Sequence, residues 1–168
     1  MTEPLLGTAA AHASARVPTA APGDLVGTAL AAMRGRRFDS VSVIVVSDGG
    51  VLSGVVTMEA LLAAPGSARL ADVMDAAPPV VGPDTDQERA AWLAVQHGEP
   101  ALAVVDDGGR FVGLIPPQRL LAVLLAEHDE DLARLGGFLG TTAAARASSQ
   151  ERLARRMWHR LPWLLLGL

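Results

Sequence analysis

Gly54 and Gly113 stand 59 residues apart, and their surroundings recur at the same interval. Val45-Val46 aligns with Val104-Val105, Gly49-Gly50 with Gly108-Gly109, and Leu61-Leu62 with Leu120-Leu121. A period this long exceeds that of most solenoid repeats and suits a βαββα unit. One such copy has too few strands to bury both faces of its sheet. Two copies packed together can bury them, so the repeat predicts an α+β fold built as a pseudo-symmetric pair.

Each copy reads in the same order. In the first, Asp24 is a candidate N-cap. Val26, Ala29, Leu30 and Met33 follow at helical spacing, and Gly35 can end the helix. Val41–Val46 predicts a buried strand, Asp48-Gly49-Gly50 a hairpin turn, and Leu52–Thr57 the returning strand. Met58–Ala64 reads as a short helix stopped by Pro65-Gly66. In the second copy, Val80-Val81 is a short strand and Asp84 caps a helix over Thr85–Gln96, with Ala90, Ala91, Leu93 and Ala94 among its apolar positions. Ala101–Val105 and Phe111–Ile115 flank the Asp107-Gly108-Gly109 turn. Pro117 then opens a helix running from Gln118 to about Leu135, ended by Gly136-Gly137.

Composition narrows the function classes. Half of the 168 residues are hydrophobic and 19% are charged, which excludes general disorder. The net charge of −4 gives no reason to expect a nucleic-acid partner. With no cysteine there are no disulfides, thiolate metal sites or cysteine nucleophiles, in keeping with a reducing cytosol. Residues 1–16 lack the basic start and apolar stretch of a secretory signal. No run reaches the roughly 20 apolar residues that span a bilayer; Leu161–Leu168 comes nearest. His12, His97, His128 and His159 do not fall at ligand spacing, and no catalytic motif occurs, so an enzyme is not expected.

The expected organisation is a lead segment (1–16), a first module (17–75), a second module (76–137), a weakly patterned linker (138–149) and a basic, helix-compatible end that turns apolar (150–168).

The paired segments Val43–Thr57 and Leu102–Ile115, with the connector Leu70-Ala71-Asp72-Val73-Met74, resemble the tandem CBS pair, the cystathionine β-synthase module. A narrower resemblance covers the end. Glu127 to Gly137, a spacer, and then Arg155-Arg156-Met157-Trp158-His159-Arg160-Leu161-Pro162-Trp163-Leu164 looks like the exit from the CBS pair of MgtE-type magnesium transporters. There an acidic helix end leads into a connecting helix and the first membrane segment. Such proteins usually carry an acidic superhelical domain before the pair and five membrane helices after it. Here sixteen residues precede the first copy, so the chain is expected to be an excised fragment or a shortened protein, unable by itself to conduct ions. The resemblance implies a homodimer on the cytoplasmic side of the cell membrane, regulated by Mg²⁺.

Glu127, Glu130 and Asp131 lie at spacings of three and four on one helix face. Like charges so placed cost a few tenths of a kcal/mol per pair, and carboxylates near a helix C-terminus also oppose its dipole. A hard divalent cation would relieve both, and Mg²⁺ favours carboxylates while keeping several waters. Spacing alone fits equally a solvated acidic face with Arg134 bridging Glu130; the family resemblance assigns magnesium-sensing carboxylates to this helix, Asp129 matching less well. Asp84, Asp86 and Glu88 form a second acidic group, open to metal binding or to capping the helix they precede.

CBS pairs that bind adenine nucleotides carry Gly-x-x-Thr/Ser-x-x-Asp. The first copy has Gly54 and Thr57 but Ala60 at the aspartate position; the second has Gly113, with Pro116 and Arg119 at the two polar positions. Thr57 is thus either a phosphate contact or a helix N-cap. Trp92 reads as core or dimer interface. Arg155, Arg156, Trp158, Arg160 and Trp163 suit a membrane interface with a cytosolic start, or else the end of an amphipathic helix.

Overall fold

Two hairpins of the same shape organise the chain. The structure, a computed structural model, describes residues 7–126; residues 7–125 lie in one compact unit. The elements in order are α1 (Ala9–His12), β1 (Thr19–Ala20), α2 (Val26–Met33), β2 (Val43–Asp48), β3 (Val51–Thr57), α3 (Met58–Ala63), α4 (Leu70–Val73), β4 (Val80–Val81), α5 (Gln87–His97), β5 (Leu102–Val105) and β6 (Phe111–Ile115). Residues 117–126 are helical and are called α6. Among the described residues no helix is long and apolar enough to cross a membrane.

Each module has one three-stranded sheet, ordered β1-β2-β3 and β4-β5-β6. The first two strands of each are parallel and the last two antiparallel. Alternation of side chains along a strand separates the two faces of each sheet. From β2 and β3, Ile44, Val46 and Val56 pack with Val26, Ala29 and Leu61 under the first module's helices. From β5 and β6, Leu102, Val104 and Ile115 pack with Ala90, Ala91 and Ala94 of α5. The opposite faces meet each other: Val43, Val45 and Val55 pack against Ala101, Ala103 and Leu114. The strands are therefore buried on both faces, which explains their continuous apolar runs.

Two short arms cross over between the modules. Ser14 pairs with Leu114 of β6, and Asp75 pairs with Val55 of β3, both antiparallel. The bridges Thr8 to Asp86 and Arg69 to Leu25 repeat the relation at the other end of each arm. Residues 8–14 thus stand to the second module as residues 69–75 stand to the first, and Ala9 is fully buried in the second module's core. The crossings explain the repeated glycines. A Cβ on Gly54 would collide with the carbonyl oxygen of Asp75, and one on Gly113 would lie 3.0 Å from the Ala13 Cβ.

Several expected boundaries shift, each for a local reason. Asp24 does not cap α2: Leu25 holds that position, and the first N–H groups of the helix donate to the carbonyls of Ala68 and Gly66 beside the second arm. The Asp24 carboxylate instead accepts from Ala21 N at 2.9 Å. Asp86, not Asp84, caps α5, accepting from Glu88 N and Arg89 N at 2.9 and 3.2 Å, so the helix starts at Gln87 rather than Thr85. β2 begins at Val43, and Val41 is 45% exposed.

The repeat itself is displaced by one residue in the hairpin. Val46 pairs with Gly54, but Val104, not Val105, pairs with Gly113. The second turn is one residue longer. Gly49 and Gly50, both at positive φ, make a two-residue turn in the first hairpin. In the second, the Asp106 carboxylate accepts from Gly108 N and Arg110 N at 2.9 and 2.8 Å, and Gly109 takes the left-handed position. The two turns bond to each other, Leu52 N to Gly109 O at 3.0 Å and Phe111 N to Gly50 O at 2.9 Å.

Candidate functional site

The family-type motif positions fall where each hairpin runs into its following helix, beside the crossing arm. In the first module Thr57 Oγ1 accepts from Ala60 N at 3.2 Å and caps α3. This occupies one hydroxyl lone pair and leaves the O–H proton free to donate. In the second module the same position is Pro116, whose carbonyl accepts from Arg119 N and Leu120 N at 2.9 and 3.2 Å. A side-chain donor is therefore present at one motif position and absent at the other.

The surroundings of the two positions differ in charge. Beside Arg119 the arm residues Ser14 and Arg16 meet Asp39 of the loop preceding β2. Ser14 Oγ donates to Asp39 Oδ2 at 2.6 Å, Arg16 Nε donates to Oδ1 at 2.8 Å, and Arg16 Nη2 closes an ion pair on the same oxygen. Gln118 Nε2 donates to the Asp39 carbonyl at 3.2 Å. The Ser14 hydrogen bond and then the Arg16 guanidinium hold the Asp39 carboxyl below the usual carboxylate range. On the other side Asp75 replaces Ser14 and accepts from Ala77 N at 2.9 Å, as Ser14 Oγ accepts from Arg16 N at 3.0 Å. Here the position matching Arg16 is Ala77. Partial burial, and then the charge of Asp75, push the Glu99 carboxyl up, opposed by His97. The Arg16–Asp39 contact had no local sequence signal, because its partners lie 23 residues apart on different elements.

The acidic group expected around α5 is divided. Asp86 is used as a cap, while Asp84 lines an open acidic cup with Asp106 and Asp107 of the long turn. Among the described residues no three His, Asp or Glu side chains are arranged to hold a metal ion. Trp92 is 52% exposed on the outer side of α5, with Val95 beside it at 54%, so it is not a core residue of its module. A small cavity of about 90 Å³ lies between β1, α2 and the Arg36–Phe38 loop, where the Arg36 guanidinium stands 5.4 Å from the Phe38 ring centroid. Glu127, Asp129, Glu130 and Asp131, and the exit residues Arg155, Arg156, Trp158, Arg160 and Trp163, lie outside the described residues.

Comparison with known proteins adds four results. The CBS domain family matches residues 10–67 and 70–126. The magnesium transporter MgtE of Thermus thermophilus is 38% identical over 94 residues, a stretch covering 56% of this chain and 21% of that protein. The cytosolic domain of the Mg²⁺ channel MgtE in complex with ATP superposes with a TM-score of 0.66 at 29% identity, covering 70% of this chain and 48% of that one. The soluble part of a magnesium transporter superposes with a TM-score of 0.70 at 19% identity, covering 74% and 50%, a likeness of fold alone. The chain spans about a fifth of the curated relative and half of each structure.

Proposed function

The chain belongs to the CBS domain family as a tandem pair, and on that premise we propose that it is the cytosolic, magnesium-sensing regulatory region of an MgtE-type transporter. The observation that carries this reading is the 38% identity to MgtE over 94 residues, above what a shared fold alone requires. Supporting it is the run Glu127, Asp129, Glu130 and Asp131 at the end of the second module. Their donor chemistry fits a hard cation: hydrated Mg²⁺ accepts one or two carboxylates and retains water. We assign the sensing role to Glu127, Glu130 and Asp131 in a homodimer whose facing carboxylates repel until the cation neutralises them. Mg²⁺ binding to the compact state then shifts a two-state equilibrium by its differential affinity. The arginines and tryptophans from Arg155 to Trp163 would lie at the cytoplasmic face of the membrane.

In scattering on the 168-residue chain, Mg²⁺ should reduce the radius of gyration, and Glu127→Gln with Glu130→Gln and Asp131→Asn should abolish the response. An unchanged response in the triple variant sinks the sensing assignment.

A second reading, adenine-nucleotide sensing, is supported by the ATP bound to the MgtE domain structure and by Thr57, whose hydroxyl can still donate. Against it stand Ala60, Pro116 and Arg119 at the remaining motif positions. Calorimetric titration with ATP, AMP and Mg²⁺ separately distinguishes the two; nucleotide binding without Mg²⁺ binding selects the second.

A further inference from the structure

We propose that Ser14, Arg16, Asp39 and Gln118 form a one-sided clasp, through which the first module and its incoming arm position α6, the last described helix of the pair. Three segments remote in sequence converge on Asp39. Its carboxylate takes Ser14 Oγ and Arg16 Nε, its N–H donates to Arg16 O at 2.9 Å, and its carbonyl accepts from Gln118 Nε2. Gln118 sits in the first turn of α6. Arg16 to Asp39 is the one ion pair among the described residues.

The opposite side of the pair provides an internal control. There the arm presents Asp75 and Ala77 where the clasp has Ser14 and Arg16, and the module presents Glu99, a like charge to Asp75. Among the described residues no ion pair bridges arm and module on that side, and the first turn of α3 carries Glu59 rather than an amide donor. The near-symmetric fold is thus tied at one motif position and untied at the other. Asp39 is a positioning residue that acts on α6 through Gln118.

For regulation, the significance rests on the reading given above, because α6 leads toward the acidic run. The test is independent of it. Hydrogen exchange of the full chain is followed by mass spectrometry in Mg²⁺-free buffer for Gln118→Ala, Asp39→Ala, Arg16→Ala and the opposite-side variant Glu99→Ala. Loss of the clasp should lower protection of the α6 amides about threefold to tenfold, the range expected from one or two solvent-accessible hydrogen bonds. Protection of β2 and β5 should be unchanged, which separates release of the helix from global destabilisation; Leu61→Ala, a core substitution, supplies the global pattern. Unchanged α6 protection in Gln118→Ala and Asp39→Ala overturns the proposal. So does an equal loss in Glu99→Ala.

Discussion

Ser14 and Leu114 exchange both of their backbone hydrogen bonds, at 2.8 and 2.9 Å. The equivalent exchange joins Asp75 and Val55, at 3.0 and 2.8 Å. These crossings cover strand positions that would otherwise present unpaired backbone groups at a sheet edge. They also bring an arm against the strand just where a glycine precedes the paired residue.

Substituting those glycines should therefore destabilise unequally. At Gly54 the added methyl collides with the Asp75 carbonyl oxygen; at Gly113 the approach is milder, 3.0 Å to the Ala13 Cβ and 3.2 Å to the Ser14 carbonyl oxygen. Overpacking suggests a loss of about 3 kcal/mol for Gly54→Ala and about 1 kcal/mol for Gly113→Ala. Urea unfolding of both variants checks the order.

Leu114 is fully buried among residues of both modules. Leu114→Ala should cost about 3 kcal/mol through lost burial and the remaining cavity. Because the residues it leaves exposed belong to both modules, the chain should still melt in one transition. A calorimetric trace resolving two transitions would show that the shared layer does not couple the halves.

Asp86 caps α5 and Asp84 does not. Asp86→Ala should cost about 1 kcal/mol, whereas Asp84→Ala should stay within about 0.5 kcal/mol, as for an exposed residue outside any cap. Equal losses in chemical denaturation would contradict the observed helix start.

Asp39 and Glu99 should give opposite dependences on pH. The native Asp39 carboxyl holds its proton less tightly than the unfolded chain does, because of Ser14 and Arg16. Its contribution is present above the unfolded pKa and is lost as pH falls through the native one. Glu99 is shifted up by partial burial and Asp75, so its ionised form weakens the fold at neutral pH, and that penalty is relieved as pH falls through its native pKa. Asp39→Asn should flatten the acid loss of stability, and Glu99→Gln should raise the urea midpoint at neutral pH. Midpoints measured from neutral pH into the carboxylate range test both signs.

The hairpins, their apolar strands and the Thr57 cap were legible because local chemistry specifies them: glycines at turns, β-branched runs and a hydroxyl before a helix. The arms were not. Residues 8–14 and 69–75 are short, and what they do is set by strands remote in sequence. The α2 cap failed for the same reason, since its N–H groups are satisfied by Gly66 and Ala68. The displaced hairpin alignment was hidden because Val104 and Val105 are alike, and it is visible only from the strand pairing. The Arg16–Asp39 contact likewise depends on where the first arm lands.

Each half of the pair is completed by a stretch of chain that enters from the other half's side. A single copy of the unit, cut free, would hold an arm with nowhere of its own to dock and a strand lacking its cover. Two such copies would satisfy one another by trading arms, as exchanged protomers do. Joining them end to end makes that trade internal, replacing a concentration-dependent association with a tethered one. The repeat marked by positions 54 and 113 thus encodes two units that complete each other within one polypeptide.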